Sequence, residues 1–290
     1  MVAVEVSNLT KYFGKTKAVD GISFSVEPGE VFGFLGPNGA GKTTTIRCMM
    51  DFIRPTGGSI SLLGLDAQKD SMEIKKRVGY LSGYVRLYGT WTGEDHIRFA
   101  QRLSGSSDHA DELAKRLNFD PSIKAKALST GNRQKLGLIL SLLNDPELII
   151  MDEPTNALDP LLQNAVYELL DEAKKRGATI FMSSHNLNEV DRICTKVCVI
   201  KQGKVVTTSA INDLKKMRMY KVHAHVAGSL LPETFTSLGA EIIEHRNDYV
   251  TMKVKGNVTP IIKALGAYEL HDLEVEHATL EDIFLEYYES

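Results

Sequence analysis

The sequence predicts an α/β fold: a mostly parallel, mixed sheet flanked by helices, with an antiparallel β subdomain, a helical insert and a small α+β C-terminal domain. Three observations carry that prediction. Continuous apolar runs, Val31-Phe32-Gly33-Phe34-Leu35 and Leu148-Ile149-Ile150-Met151, read as strands buried on both faces. Such strands alternate with helical stretches, and that alternation means a parallel sheet covered by helices. From about Tyr220 the texture changes to alternating apolar and polar residues, in a separate order of strands and helices.

Each element follows from local pattern. Val2, Val4 and Val6 fall at every second position, as do Ile22, Phe24 and Val26, and Pro28-Gly29 then turns the chain. The apolar run at 31–35 leads through a glycine-rich loop into a helix over 42–50. Residues 92–143 are rich in helix formers with amphipathic spacing, as in Leu113 and Leu117, and read as the helical insert. A second buried strand covers 148–151. A helix over 160–176 opens on Pro160 and is followed by Gly177, and a strand covers 179–182. Beyond Tyr220 come a strand, a helix at 232–238, strands at 241–245 and 249–254, a helix at 259–265, a strand at 270–276 and a last helix at 280–288. The order βαββαβ predicts a small ferredoxin-like domain. The division is expected near 214–218, giving domains of residues 1–217 and 218–290.

Composition narrows the function classes. A formal net charge of -3 argues against a nucleic-acid binder working through a basic surface. The clusters Lys174-Lys175-Arg176 and Lys215-Lys216 are short and read as solvated helix ends. Cys48, Cys194 and Cys198 form no Cys-x-x-Cys pair, which points to small buried residues in a reducing compartment. The first nine residues read as a strand rather than a signal peptide. A membrane-spanning helix needs ~20 apolar residues, and the run at 136–143 is far shorter, so membrane work is expected of a partner chain.

The chemistry concentrates in two places. Gly36-Pro37-Asn38-Gly39-Ala40-Gly41-Lys42-Thr43, followed by Thr44, fits G-x-x-x-x-G-K-[ST] between a buried strand and a helix. Its glycines let backbone N–H groups turn in around phosphate oxygens, and the helix N-terminus adds positive potential there. Lys42 is expected to reach the β- and γ-phosphates of a nucleotide, and the Thr43 hydroxyl to bind Mg²⁺. Asp152 ends a buried strand, where its carboxylate can face the metal. Glu153 follows it, as a water-activating base requires.

Further motifs carry a resemblance. Leu128-Ser129-Thr130-Gly131-Asn132-Arg133-Gln134-Lys135 resembles the signature loop of ABC ATPases. The phosphate loop, this signature, Asp152-Glu153-Pro154-Thr155, Ala157-Leu158-Asp159 and Ser184-His185 occur in that family's order, over residues 1 to about 215. The resemblance implies a head-to-tail, ATP-dependent homodimer with two ATP molecules sandwiched in it. Ser129, Thr130, Gly131 and Asn132 would face the partner's ATP, and Asp159 would lie across the dimer interface. His185 would contact the γ-phosphate and the attacking water, and Phe13 would stack on adenine. It also implies a transmembrane permease as partner and a cytoplasmic place on the inner face of the membrane.

The motifs depart from the family at three points. Thr130 stands for the first central glycine of the signature and Asn132 for its glutamine. Gly83, in Gly79-Tyr80-Leu81-Ser82-Gly83-Tyr84, stands where the family commonly has glutamine or glutamate. Glycine offers no side-chain oxygen to a metal and frees the backbone to hinge. The tail from Leu273-Glu274-Val275-Glu276 to Leu280-Glu281-Asp282-Ile283-Phe284 looks like the C-terminal region of ATPases from bacterial and archaeal drug, bacitracin and sodium exporters. A soluble ABC ATPase without a permease is the alternative. Ribosome-acting relatives carry two cassettes and repair relatives a long coiled coil, and neither is present. A GTPase or kinase reading finds no guanine-reading Asn-Lys-x-Asp. An importer ATPase would more often carry a β-barrel-like C-terminal domain.

Overall fold

The computed structural model describes residues 2–104, 109–216 and 219–277. The chain divides into two compact units, Met1–Ser209 with two sheets and Ala210–Ser290 with one.

The first unit opens with β1 (Val4–Phe13), β2 (Thr16–Val26), β3 (Val31–Leu35), α1 (Lys42–Met49), β4 (Gly57–Leu62), β5 (Leu65–Asp66), α2 (Ser71–Arg77) and β6 (Val78–Leu81). The insert holds α3 (Gly93–Ser104), α4 (Ala110–Arg116), a 3-10 turn (Ala125–Ala127) and α5 (Thr130–Leu142). The chain returns through β7 (Leu148–Asp152), α6 (Pro160–Lys175), β8 (Thr179–Ser184), α7 (Leu187–Ile193), β9 (Lys196–Lys201) and β10 (Lys204–Ala210).

Two sheets result. One is antiparallel, in the order β2-β1-β4-β5. In β1 the simple alternation breaks: the register shifts between Val6 and Leu9, and Asn8 takes φ 48°, so both apolar side chains still face inward. The other sheet runs β10-β9-β3-β8-β7-β6, and the pairs from β9 through β6 are all parallel. Phe24 of β2 stacks on Phe32 and Phe34 of β3 and on Phe181 of β8, with ring centroids 5.3 to 5.8 Å apart. Burying each such ring stabilises by roughly 1.5–3 kcal/mol, which joins the two sheets through one core.

Helices approach the parallel sheet where a strand lacks a side chain. A Cβ on Gly33 would lie 2.9 Å from Cys194 Sγ and 3.1 Å from Val190, so glycine admits α7 against β3. Gly79 does the same for α5 on β6, where a Cβ would stand 2.0 Å from the Ser141 carbonyl oxygen. The link into the insert is an aromatic cluster. Trp91 packs on Tyr88, His96 and Phe99 with centroids 4.7, 5.3 and 5.4 Å away. His96 Nε2 accepts the Tyr88 N–H at 3.0 Å, which leaves Nδ1 to donate to the Thr92 carbonyl at 2.7 Å.

The second unit contains α8 (Ile211–Lys216), β11 (Met219–Val226), α9 (Pro232–Thr236), β12 (Ala240–Arg246), β13 (Tyr249–Lys255), α10 (Thr259–Leu265) and β14 (Leu270–His277). Its sheet is antiparallel, in the order β12-β13-β11-β14, the ferredoxin-like arrangement. Val222, Ala224 and Val226 point to one face, over a core with Phe235, Met252, Ile261 and Leu265. The helix expected at 280–288 and the domain boundary expected at 217/218 lie outside the described residues.

Candidate functional site

The carboxyl ends of β3, β8 and β7 lie side by side in the sheet, and the loops that leave them carry the chemical groups. After β3 the backbone turns through Gly39 at φ 79° and Gly41 at φ 111°, left-handed conformations that side chains disfavour. A Cβ on Gly41 would also strike the Ala18 carbonyl oxygen at 2.5 Å. The Gly36 N–H donates to the Ser184 carbonyl at 3.2 Å, and the Gly203 N–H donates to that of Ala40 at 2.9 Å. The loop is therefore fixed at both ends before α1 begins at Lys42. Lys42 is buried, and its Nζ donates to the carbonyls of Gly36 at 2.6 Å and Pro37 at 3.3 Å.

Two carboxylates meet this loop from β7. Asp152 is buried; its Oδ2 accepts from Thr43 Oγ1 at 2.7 Å and its Oδ1 from Ser183 Oγ at 2.5 Å. Glu153 takes φ 54°, a backbone state that costs of order 1–3 kcal/mol outside glycine and persists only where its surroundings hold it. Its N–H donates to the Ser183 carbonyl at 3.2 Å, and Gln134 Nε2 donates to the carbonyls of Glu153 and Pro154 at 3.2 and 3.0 Å. So held, Glu153 places Oε1 3.2 Å from Lys42 Nζ and Oε2 2.7 Å from His185 Nδ1.

A third carboxylate lies behind them. Glu189 of α7 is buried and accepts from Thr155 Oγ1 at 2.9 Å and Ser184 Oγ at 2.6 Å. Burial pushes its pKa above the usual carboxylate value; the two hydroxyl bonds oppose that, the Glu153 charge adds to it, and His185 opposes it.

A cavity of about 330 Å³ is lined by Pro37 through Thr44, Arg47, Ser82, Gly83, Tyr84, Asp152, Glu153 and Ala18. A groove of about 650 Å³ adjoins it beside Phe52, Tyr80, Leu87 and Leu140, and shares Arg47, Ser82 and Tyr84 with it. A cavity of about 550 Å³ at the opposite ends of the strands, beside Arg77, Glu147 and Arg176, holds none of these groups.

Gly83 lies against the metal-facing carboxylate. Its φ lies outside the left-handed region, so the backbone there does not require glycine. The constraint is room: a Cβ would stand 3.0 Å from Asp152 Oδ2 and 3.2 Å from its Cγ.

The remaining sequence-derived residues lie elsewhere. Ser129 caps α5, its Oγ accepting the Asn132 N–H at 3.2 Å, and Thr130 beside it is exposed. Gly131 packs on the next loop, where a Cβ would be 3.0 Å from the Ala157 carbonyl oxygen. Asp159 caps α6 by accepting the Leu162 N–H at 3.0 Å. These five residues do not line the cavity of their own chain. Phe13 is 51% exposed, with Lys11 Nζ 5.0 Å from its ring centroid, whereas Tyr12 is tied to Asp20 at 2.8 Å. Arg47, Gln134, Ser183 and Glu189 join the site only through the fold. Gln134 stands inside the signature-like run, and Ser183 is a polar residue near the end of a buried strand, next to Ser184-His185.

The oxygen donors suit a hard cation. The Thr43 hydroxyl and the Asp152 carboxylate already touch, and among the described residues no group of three or more His, Cys, Asp or Glu could hold a metal alone. A two-ligand site of this kind fits Mg²⁺, which completes its shell with phosphate oxygens and water.

Comparison with known proteins agrees in fold and family. The family model described as "ABC transporter" matches residues 19–156. The chain is similar to the bacitracin transport ATP-binding protein BcrA of Bacillus licheniformis, at 36% identity over 73% of this chain and 71% of that one. It is similar to the Nod factor export ATP-binding protein I of Paraburkholderia xenovorans (strain LB400), at 31% identity over 98% of this chain and 96% of that one. A solved structure described as the ATP binding subunit of an ABC transporter superposes with a TM-score of 0.68 at 29% identity, over 74% of this chain and 92% of the other.

Proposed function

The chain belongs to the ABC transporter family as an ATP-binding subunit, and on that premise we propose that it hydrolyses MgATP to drive an exporter permease. The observation that carries the chemistry is the placement of Glu153 between Lys42 and His185, at 3.2 and 2.7 Å, on the edge of the phosphate loop.

Lys42 exchanges its carbonyl partners for β- and γ-phosphate oxygens, as a fixed positive charge in a buried site. The loop N–H groups and the start of α1 hold the remaining phosphate oxygens. Thr43 and Asp152 hold the metal, which when bound neutralises charge developing on the phosphates. Glu153, relieved of Lys42, accepts a proton from the attacking water. His185 orients Glu153 through Nδ1 and contacts the γ-phosphate. Phe13, half-exposed, stacks on adenine.

Ser129, Thr130, Gly131, Asn132 and Asp159 stand outside their own chain's cavity, which supports a head-to-tail homodimer in which they meet the partner's ATP. The groove beside Tyr80 and Tyr84 is the contact for the permease, because it shares Arg47, Ser82 and Tyr84 with the nucleotide cavity. The export direction rests on the relative named for Nod factor export. Among the described residues no helix is long and apolar enough to cross a membrane.

Glu153→Gln tests the reading. It should retain MgATP, lose ~10²–10⁴ in turnover, and accumulate as an ATP-dependent dimer in size-exclusion chromatography. Turnover near wild type counts against Glu153 as the base. Co-purification with a membrane subunit, and ATP hydrolysis stimulated by that subunit's substrate, test the partnership.

A further inference from the structure

Glu189 is a buried carboxylate for which the proposed chemistry has no use. It is 2% exposed, and its two oxygens accept from two neutral hydroxyls, Thr155 Oγ1 at 2.9 Å and Ser184 Oγ at 2.6 Å. A carboxylate in such a place is costly, and an apolar side chain would fill the same space at lower cost. What an apolar side chain cannot do is accept two hydrogen bonds at once.

The two hydroxyls belong to the segments that carry the reacting groups. Thr155 lies two residues beyond Glu153. Ser184 immediately precedes His185, and its carbonyl also accepts the Gly36 N–H of the phosphate loop at 3.2 Å. The 2.7 Å bond between Glu153 Oε2 and His185 Nδ1 spans those same two segments. Glu189 is itself anchored from behind, because its neighbour Val190 packs on β3 at Gly33 with full burial.

We infer that Glu189 is a positioning residue for ATP hydrolysis: by accepting from Thr155 and Ser184 together, it fixes Glu153 and His185 relative to each other. The inference rests on the reading of Glu153 as the base. It assigns Glu189 no contact with nucleotide. Its loss therefore moves the chemical step rather than binding.

The test uses the full chain, steady-state ATP hydrolysis and equilibrium ATP binding. Glu189→Gln keeps the shape but turns one acceptor into a donor. It should lower kcat at least about tenfold, since a displacement of ~1 Å can cost ~10²-fold, and should leave KM and the ATP Kd within about threefold. Thr155→Val should reproduce the kcat loss, and Thr155→Ser, which restores the hydroxyl, should recover most of it. These threonine variants keep the test intact where Glu189 variants fold poorly. Glu189→Gln combined with Glu153→Gln should be no slower than Glu153→Gln alone, because a group acting through Glu153 has nothing further to remove. A slow Glu153→Gln beside wild-type kcat in both Glu189→Gln and Thr155→Val overturns this inference and leaves the base reading standing. A kcat loss matched by an equal loss of ATP affinity also overturns it, since Glu189 would then support the loop rather than the reacting pair. Wild-type turnover in Glu153→Gln overturns the base reading and this inference with it.

Discussion

Lys42 is held by two loop carbonyls and lies 3.2 Å from Glu153, a ready-made cationic slot for phosphate. Lys42→Ala removes a charge that water cannot replace with the same fixed potential. ATP affinity and hydrolysis should both collapse while circular dichroism stays that of the wild type, and wild-type affinity would sink the assignment. Gly83 gives a second prediction at this scale. Any side chain there crowds Asp152, whose Oδ2 would be 3.0 Å from the new Cβ. Gly83→Gln should therefore lower Mg²⁺-dependent hydrolysis several-fold, with overpacking costs of ~1–3 kcal/mol at such sites. Unchanged or faster hydrolysis shows that the carboxylate moves freely. The contrast between these residues explains what was legible. Lys42, Thr43, Asp152 and Glu153 stand in contiguous motifs, so spacing alone finds them. Glu189 meets Thr155 across 34 residues and Gln134 meets Glu153 across 19, and only the folded chain brings them together. Gly83 was visible as a missing oxygen, but the Asp152 wall beside it was not.

Among the elements, β3, β7 and β8 were readable because burial on both faces leaves an unbroken apolar run. The edge strands were not. β6 contains Gly79, placed there for α5, and β10 alternates exposed and half-buried residues with no apolar face of its own. The insert is tied to the core by a bidentate pair, Arg116 of α4 to Glu172 of α6 at 2.6 and 2.9 Å. The hydrogen bond from Arg116 holds the Glu172 carboxyl below its ordinary 4.5, with the Arg116 charge acting in the same direction. A carboxylate whose pKa is lowered on folding stabilises above its unfolded value and loses that contribution as pH falls through the lowered one. The pair is partly solvated, so its contribution is at most ~1 kcal/mol. Glu172→Gln should lower the urea midpoint slightly at pH 7 and flatten its decline below pH 4.5. Parallel pH profiles for the variant and the wild type would show that the pair contributes nothing.

At the scale of the whole molecule, each unit has its own sheets and hydrophobic core, two sheets in the first and one in the second, whose core centres on Val222, Phe235, Met252 and Ile261. The strand order of that second sheet followed from βαββαβ alone, because few topologies satisfy such an order. We propose that the units separate: a chain truncated to residues 1–217 should remain soluble and folded and should bind ATP, as followed by thermal melting with and without nucleotide. An insoluble or unfolded product would mean that the two parts share one core. The aromatic cluster around Trp91 bears on any such measurement, because the chain has one tryptophan. With Tyr88, His96 and Phe99 all within 5.4 Å of its ring centre, its emission reports the lead into the insert and little else. A fluorescence trace is then a local optical gauge of that link between the core and the insert, set by three rings of its own neighbourhood.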